Sequence, residues 1–312
     1  SRLDSPSSTH DGSQLLVLLA ILFAGSGCAA LIYEIVWYQL LEFVIGSTTV
    51  SLGVLLATFM GGLCIGSIAL PRITGLHGYH PLRVFGAIEA GIGLCGLLVW
   101  WGMPVVDRFY LAVVGHGLPA ILLRAVVASL CLLPPTILMG ASLPAAARWI
   151  ESSRRGISWL GLLYGANTVG AVFGSLLAGF YLLRLFDMAT ATYAAAAINA
   201  AVSIAGFVLA MRAGMRAGAD ESGQRAQSGA ENVEAARGEW TVYATIAFSG
   251  ATALGAETIW MRLLGLTMGA TVYTFSILLA VFLAGLGVGS GGGACLSPRV
   301  RPRIALGYSQ LL

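Results

Sequence analysis

Apolar runs of about 20 residues recur along this chain, and each is long enough to form a helix that crosses the hydrocarbon core of a bilayer. The predicted spans cover residues 15–38, 50–70, 84–103, 120–139, 160–185, 189–211, 241–264 and 272–296. A further apolar segment begins at residue 304 and is interpreted as the start of a ninth span that is cut off. We therefore predict an all-α polytopic membrane protein with eight spans, whose first partner is the lipid bilayer.

The composition excludes several other classes of protein. Only 10% of the 312 residues are charged, against about 25% in a soluble domain. A water-soluble nucleic-acid-binding protein, a disulfide-stapled secreted module and a disordered chain are incompatible with the lipid-facing surface of such spans. The five cysteines stand singly within apolar runs and are predicted to be packing residues.

The arginines predict an orientation, because basic residues that flank short loops remain on the cytoplasmic side. All 17 basic residues are arginines, and thirteen lie in the amino-terminal tail or after spans two, four, six and eight. We expect residues 1–13 to be a polar cytoplasmic tail and the polar residues 212–239 to be a cytoplasmic linker. The predicted localisation is the inner, cytoplasmic membrane of a bacterium.

An internal repeat relates two parts of the chain. Residues 26–67 align with residues 249–290 at an offset of 223, with 18 identities in 42 positions. The shared residues include Glu34 with Glu257, Trp37 with Trp260 and Gly46 with Gly269, a set that membrane composition alone does not explain. Six spans separate the copies, so both cross the membrane in the same direction.

Parallel halves joined by a long cytoplasmic loop are typical of major facilitator transporters. We therefore predict a major-facilitator-like helix bundle. Residues 14–211 form its six-helix first half, and residues 240–312 begin a second half that is incomplete.

Three motifs carry a family resemblance. They are Ser26-Gly-Cys-Ala-Ala-Leu-Ile-Tyr-Glu-Ile-Val-Trp37, Leu138-Met-Gly-Ala-Ser-Leu-Pro144 and Leu163-Tyr-Gly-Ala-Asn-Thr-Val-Gly-Ala-Val-Phe-Gly174. Residues 14–312 resemble the fused major-facilitator/spermidine synthase-like membrane family. The resemblance implies a soluble polyamine aminopropyltransferase-like domain after the membrane part, with decarboxylated S-adenosylmethionine as its cofactor. That domain is not within these residues, so no catalytic or cofactor-binding residue is predicted in this chain.

The loop between spans two and three departs from the major-facilitator pattern. That loop usually carries Gly-x-x-x-Asp-x-x-Gly-Arg, whereas residues 66–83 supply Pro71, Arg72 and Arg83 without the aspartate. This difference counts against an ordinary transport cycle.

Two equivalent pairs of residues are candidate binding groups. Glu34 precedes Trp37, and Glu257 precedes Trp260, by three residues, which puts carboxylate and indole on one helical face. An acidic residue within a span is costly and by default faces the bundle interior or an aqueous path. One interpretation is a cation or proton site in each half, with the indoles offering cation–π contacts to an amine. The other is structural, with each glutamate capping or pairing at a helix end near an interfacial tryptophan belt.

Glu89 and Asn167 are the remaining candidates. Glu89 is the only carboxylate well inside the third span, and such a group either pairs with an arginine or holds a proton. Arg124 or Arg262 could reach it from the opposite half of the membrane. Asn167 lies among small residues, where neighbouring helices approach closely, so its amide either ties two helices together or contacts a substrate. No metal site is predicted.

These observations lead to three hypotheses about function. In the first, the chain is the membrane-integral part of a spermidine synthase-like protein, which holds a cytoplasmic aminopropyltransferase-like domain and handles a polyamine. In the second, it is a secondary transporter of a small organic cation or polyamine, in which Glu34, Glu89 and Glu257 exchange protons for substrate. In the third, it is a scaffold subunit whose glutamates are salt-bridged. The enzyme assignment rests on the resemblance, and the substrate, coupling ion and oligomeric state do not follow from the sequence.

Overall fold

The computed structural model describes residues 7–46, 48–73, 79–113, 118–150, 156–220, 239–269 and 271–296, and these residues are helical apart from short turns. The helices are α1 (Ser7–Ile45), α2 (Thr48–Arg72), α3 (Pro81–Val113), α4 (Leu118–Ile150), α5 (Gly156–Leu177), α6 (Leu183–Leu185), α7 (Met188–Asp220), α8 (Glu239–Met268) and α9 (Val272–Leu296). A π-helical turn, Ala178–Leu182, joins α5 to α6. The predicted all-helical fold is thus confirmed for the described part of the chain.

Seven segments of these helices are long and apolar enough to cross a membrane, which is consistent with a multi-pass membrane protein. They are Leu15–Ile45, Thr49–Arg72, Pro81–Gly102, Leu122–Trp149, Trp159–Leu185, Met188–Arg212 and Val272–Gly292. Each corresponds to one of the predicted spans.

The predicted span at residues 241–264 differs from the other seven. It lies in α8, which has 30 residues and is long enough to cross a bilayer, but α8 is not among the sufficiently apolar helices of the described chain. The physical reason is its composition, because Glu257 and Arg262 stand among threonines and glycines that lower its mean hydropathy.

Two predicted boundaries differ from the helix ends. Helix α1 begins at Ser7, within the predicted tail, and α7 continues to Asp220, within the predicted linker. The extension of α7 is rich in alanine and arginine, both of which favour helix. The segment from residue 304 and most of the predicted linker lie outside the described residues.

The sequence repeat corresponds to a repeated helix–turn–helix unit. Helix α1 ends at Ile45, and α8 ends at the equivalent residue, Met268. Each is followed by a glycine with a positive φ, 76° at Gly46 and 87° at Gly269. Only glycine adopts this conformation readily, so its recurrence at both turns supports the duplication. The second helix of each unit, α2 or α9, begins shortly afterwards.

Helix α1 lies at the centre of the bundle. It packs against α2, α3, α4, α5, α7 and α9, and its side chains Tyr33, Ile35, Trp37 and Leu41 are almost completely buried. Helix α9 packs against α5 and the π-helical turn, where the ring of Phe275 lies 4.4 Å from that of Tyr38 in α1. The second repeat unit is therefore attached to the rest of the bundle mainly through the packing of α9 on α5.

Glycines allow two helix pairs to approach backbone to backbone. A Cβ at Gly170 of α5 would collide with the carbonyl oxygen of Ala24 in α1, and one at Gly174 would collide with that of Cys28. In the second pair, a Cβ at Gly66 of α2 would collide with the carbonyl oxygen of Ile137 in α4. Small residues at helix contacts are the usual basis of packing in membranes, since hydrocarbon provides no hydrophobic force between helices.

We predict that Gly170→Ala will lower the thermal stability of the detergent-solubilised protein, because the added methyl group must push α1 and α5 apart. Gly165→Ala is the matched control on the same helix, since its Cβ would meet no atom within 4 Å. That control should be neutral or stabilising by up to about 1 kcal/mol through helix propensity. Equal melting temperatures for the two variants would contradict the close packing of α1 on α5.

Candidate functional site

Glu89 is completely buried and joins three helices. Its Oε1 accepts a hydrogen bond of 2.6 Å from the Ser26 hydroxyl of α1, and its Oε2 accepts one of 2.7 Å from the Asn199 amide of α7. One turn before Glu89, the carbonyl oxygen of Gly86 accepts a 2.7 Å hydrogen bond from Ser203, also of α7. Glu89 is thus the centre of a polar connection between α1, α3 and α7.

The hydrogen-bond partners of Glu89 are neutral, so the predicted pairing with Arg124 or Arg262 is wrong. The Arg124 guanidinium instead donates to the Val44 carbonyl oxygen at the end of α1, at 2.9 Å. The Arg262 guanidinium approaches the Thr49 hydroxyl at 3.5 Å. Both arginines interact with the α1–α2 turn region, which lies about five helical turns beyond Ser26. The alternative prediction, a proton held by Glu89, is compatible with these neutral partners.

Buried polar atoms without a hydrogen-bond partner in the described structure lie next to the Glu89 centre. They are the Oδ1 of Asn199, whose Nδ2 binds Glu89, and the hydroxyl of Tyr33, which interacts electrostatically with Glu89. The ring of Tyr33 fits beside Gly96, where any Cβ would collide with it. Buried polar groups are normally satisfied, so these atoms provide hydrogen-bonding capacity for a water molecule or a polar ligand.

Glu34 and Glu257 are brought together by the structure. They are 3% and 2% exposed, and they lie close enough for the Glu257 carboxyl group to act electrostatically on that of Glu34. The sequence predicts one site in each half, whereas the structure places the two carboxyl groups within electrostatic range of each other, and we call them the carboxyl pair. Neither glutamate is at a helix end, since each lies well before the carboxyl end of α1 or α8. Helix-end capping therefore does not describe them.

A cavity of about 330 Å³ lies beside this carboxyl pair. Tyr38 and Met261 line it, and each follows one of the two glutamates by four residues, on the same helical face. Thr49 and Thr258 add hydroxyl groups to the wall, and Arg262 lies at the side formed by the start of α2. The cavity therefore has a mixed polar and apolar lining, lies between α1, α2 and α8, and is within about one helical turn of both glutamates along their helices.

The two equivalent tryptophans have different environments. Trp37 is 1% exposed and stacks on Tyr33, with ring centroids 5.3 Å apart. Its Nε1 is a buried donor without a partner among the described residues. Trp260 is 57% exposed, so the structure does not bring it together with the carboxyl pair. A cation–π contact remains a prediction for Trp37. Tyr33 already covers one face of the indole, so a cation could approach only the other face.

Asn167 lies at the contact between α5 and α1. A Cβ at Gly27 would collide with the carbonyl oxygen of Asn167 and come within 2.9 Å of its Oδ1. Gly27 is adjacent to Ser26, so Asn167 packs on α1 beside the residue that binds Glu89. The structure thus places Asn167 at a close helix–helix contact and separates it from the carboxyl pair of Glu34 and Glu257.

Sequence reasoning missed the partners of Glu89. Ser26 had a signal, because it is identical to Ser249 in the repeat and lies within a resemblance motif. Asn199 is a polar amide in the middle of an alanine-rich span, and such residues are rare enough in hydrocarbon to be candidates for interhelical hydrogen bonds. Tyr33 had no distinct signal, since tyrosine next to glutamate does not indicate which face is buried.

Comparison with known proteins gives one distant relationship. No protein-family model and no solved structure matches the chain. Polyamine aminopropyltransferase 2 of Streptomyces coelicolor is 29% identical over 203 residues, which cover 61% of this chain and 33% of that protein. The chain therefore spans about a third of the length of this curated relative. The match supports the spermidine synthase-like part of the predicted resemblance, and the major-facilitator part stays a prediction.

We predict that Glu89→Ala will destabilise the protein strongly and Glu89→Gln only slightly. Alanine leaves the Ser26 hydroxyl and the Asn199 amide buried without an acceptor, at a cost of about 1–3 kcal/mol each. Glutamine keeps one acceptor, and a rotated Asn199 amide can present its free Oδ1 to the new amide group. Thermal unfolding in detergent measures both variants. Equal destabilisation by the two substitutions would show that Glu89 contributes a charge that its neutral partners do not explain.

Proposed function

We propose that this chain is the membrane-integral part of a polyamine aminopropyltransferase-like protein. The observation that carries the proposal is the similarity to a polyamine aminopropyltransferase of Streptomyces coelicolor. It is combined with seven helix segments that are long and apolar enough to cross a membrane. Soluble transferase chemistry does not require such helices, so their presence favours a membrane role for this part of the protein.

In this proposal the helices form a major-facilitator-like bundle in the inner membrane, with the amino terminus and residues 212–239 on the cytoplasmic side. Residues 14–211 are the first half of the bundle, and residues 240–312 begin the second. Aminopropyl transfer from decarboxylated S-adenosylmethionine belongs to a soluble part outside these residues. The membrane part would hold that soluble part at the cytoplasmic face.

The proposal is tested by the location of the enzymatic activity in the native host. Aminopropyl transfer from decarboxylated S-adenosylmethionine to a polyamine is measured in washed membranes and in the soluble fraction. We expect a membrane-bound activity that is lost when the gene is deleted and restored by the intact gene. Activity that is only soluble, or that is unchanged in the deletion strain, would contradict the proposal.

A second function, binding and transport of a small organic cation of the polyamine class, is favoured by the carboxyl pair of Glu34 and Glu257. Two acidic side chains buried within electrostatic range of each other inside a membrane repel each other when both are ionised, and a cation near both reduces that repulsion. The adjoining cavity of about 330 Å³ is at the lower end of the size range of small-molecule sites. An ammonium group would lie at the carboxyl pair, and the alkyl chain would extend into the cavity past Tyr38.

Arg262 makes the charge argument testable in both directions. Its guanidinium lines the same cavity and repels a cation, whereas Glu34 and Glu257 attract one. We predict that Glu34→Gln and Glu257→Gln will each weaken spermidine binding to the full chain in nanodiscs by about 10–100-fold, the value of a hydrogen bond to a charged group. Arg262→Gln should strengthen binding. Equilibrium binding of radiolabelled spermidine measures all three variants.

Glu89→Gln serves as the comparison variant, because it removes a buried carboxylate outside this cavity. If spermidine binds at the pair, Glu89→Gln should retain affinity close to that of the wild type. A loss of spermidine affinity in Glu89→Gln alone would indicate that the cation binds at the Glu89 centre instead. Equal losses in every variant, with Arg262→Gln included, would indicate general disruption and would contradict the electrostatic model.

A further inference from the structure

A groove of about 650 Å³ opens where α2 ends and α3 begins, and Glu34, Glu89 and Glu257 are not among its lining residues. Its walls come from α2, α3, α4 and α7, and apolar side chains dominate them. Leu70 and Ile73 of α2, Ile137 and Leu138 of α4 and Phe207 of α7 are among the lining residues. Ile73 is 49% exposed, so the groove is open to the surroundings of the bundle.

The groove runs from the membrane face toward the bilayer centre. Along α2 it extends from Ile73, just after the helix, back to Gly66, which is about 10 Å at 1.5 Å per residue. Its inner end is formed by Ile137 and Leu138, near the middle of the span Leu122–Trp149. A hydrocarbon core of about 30 Å gives each leaflet about 15 Å, so the groove covers most of the depth of one leaflet.

The mouth of the groove is positively charged. Arg83 and Tyr79 line it, and both side chains are exposed. Within the described residues, no ion pair or hydrogen bond engages the Arg83 guanidinium. Burial and the neighbouring Arg83 lower the pKa of His80, so the imidazole beside the mouth is neutral at physiological pH. Arg72, at the same end of the bundle, donates to the Ile68 carbonyl oxygen of its own helix.

We propose that this groove binds one anionic phospholipid of the leaflet that faces the α2–α3 connection. An acyl chain lies along the apolar walls, and the phosphate lies at the mouth between the Arg83 guanidinium and the Tyr79 hydroxyl. Charge complementarity selects the lipid, because a free arginine at the membrane face attracts anionic head groups. The groove and the lipid are arranged in the same direction, because each has its charged end at the membrane face and its apolar end at mid-depth.

Native mass spectrometry of the purified full chain tests the proposal, with phosphatidylglycerol and phosphatidylcholine titrated separately. The wild type should retain phosphatidylglycerol in preference to phosphatidylcholine. Arg83→Gln should weaken phosphatidylglycerol binding about fivefold, the usual contribution of one arginine near an anionic surface. Arg184→Gln, which removes another exposed arginine at the end of a different span, is the matched control and should bind like the wild type.

Ala87→Trp separates the groove from general surface electrostatics. Ala87 lines the groove from an exposed position of α3, so tryptophan fills the groove while the fold and Arg83 are retained. Weaker phosphatidylglycerol binding in this variant supports the proposal. Unchanged binding in Ala87→Trp, or equal losses in Arg83→Gln and Arg184→Gln, would overturn it. The proposal would also be overturned if the wild type is a dimer and Ala87→Trp dissociates it, since a second copy of the chain would then occupy the groove.

Discussion

A carboxyl group buried among apolar helices must obtain its hydrogen bonds from the protein, because hydrocarbon supplies none. Glu89 meets this requirement through Ser26 of α1 and Asn199 of α7, and Ser203 adds a second bond from α7 to α3. Separation of these helices would leave several polar groups unpaired in hydrocarbon. The central helix α1 is thereby held in one position, and Glu34, two turns beyond Ser26, is positioned with it.

Close backbone packing then determines where the second repeat unit can lie. Gly170 and Gly174 bring α5 against α1, and α9 in turn packs on α5. The two repeat units share their helix ends and their glycine turns, but α1 is surrounded by helices whereas α8 has few neighbours. This asymmetry explains why Trp37 is buried and the equivalent Trp260 is exposed. Glu34 and Glu257 are nevertheless both buried and within electrostatic range of each other.

The spans could be predicted from the sequence because length and apolarity alone determine them, and the equivalence of Gly46 and Gly269 because the repeat aligns them. The less apolar α8 shows the limit of that reasoning, since Glu257 and Arg262 interrupt its hydropathy. Glu89 was recognisable as a buried carboxylate, but its partners come from positions 63 and 110 residues away. Only the packing of α1 and α7 on α3 selects those partners over Arg124, which binds the end of α1 instead. The groove at Arg83 depends on four helices and leaves no local pattern.

The reading frame of the gene beyond codon 312 provides the most direct test of the central claim, that these helices are the membrane part of a polyamine aminopropyltransferase-like protein. The account predicts that sequencing will find a soluble domain after the last span, with a glycine-rich strand-to-helix turn and paired acidic residues for amine groups. A frame that continues with four further spans and then stops would contradict this claim, and it would leave cation transport as the function of the chain.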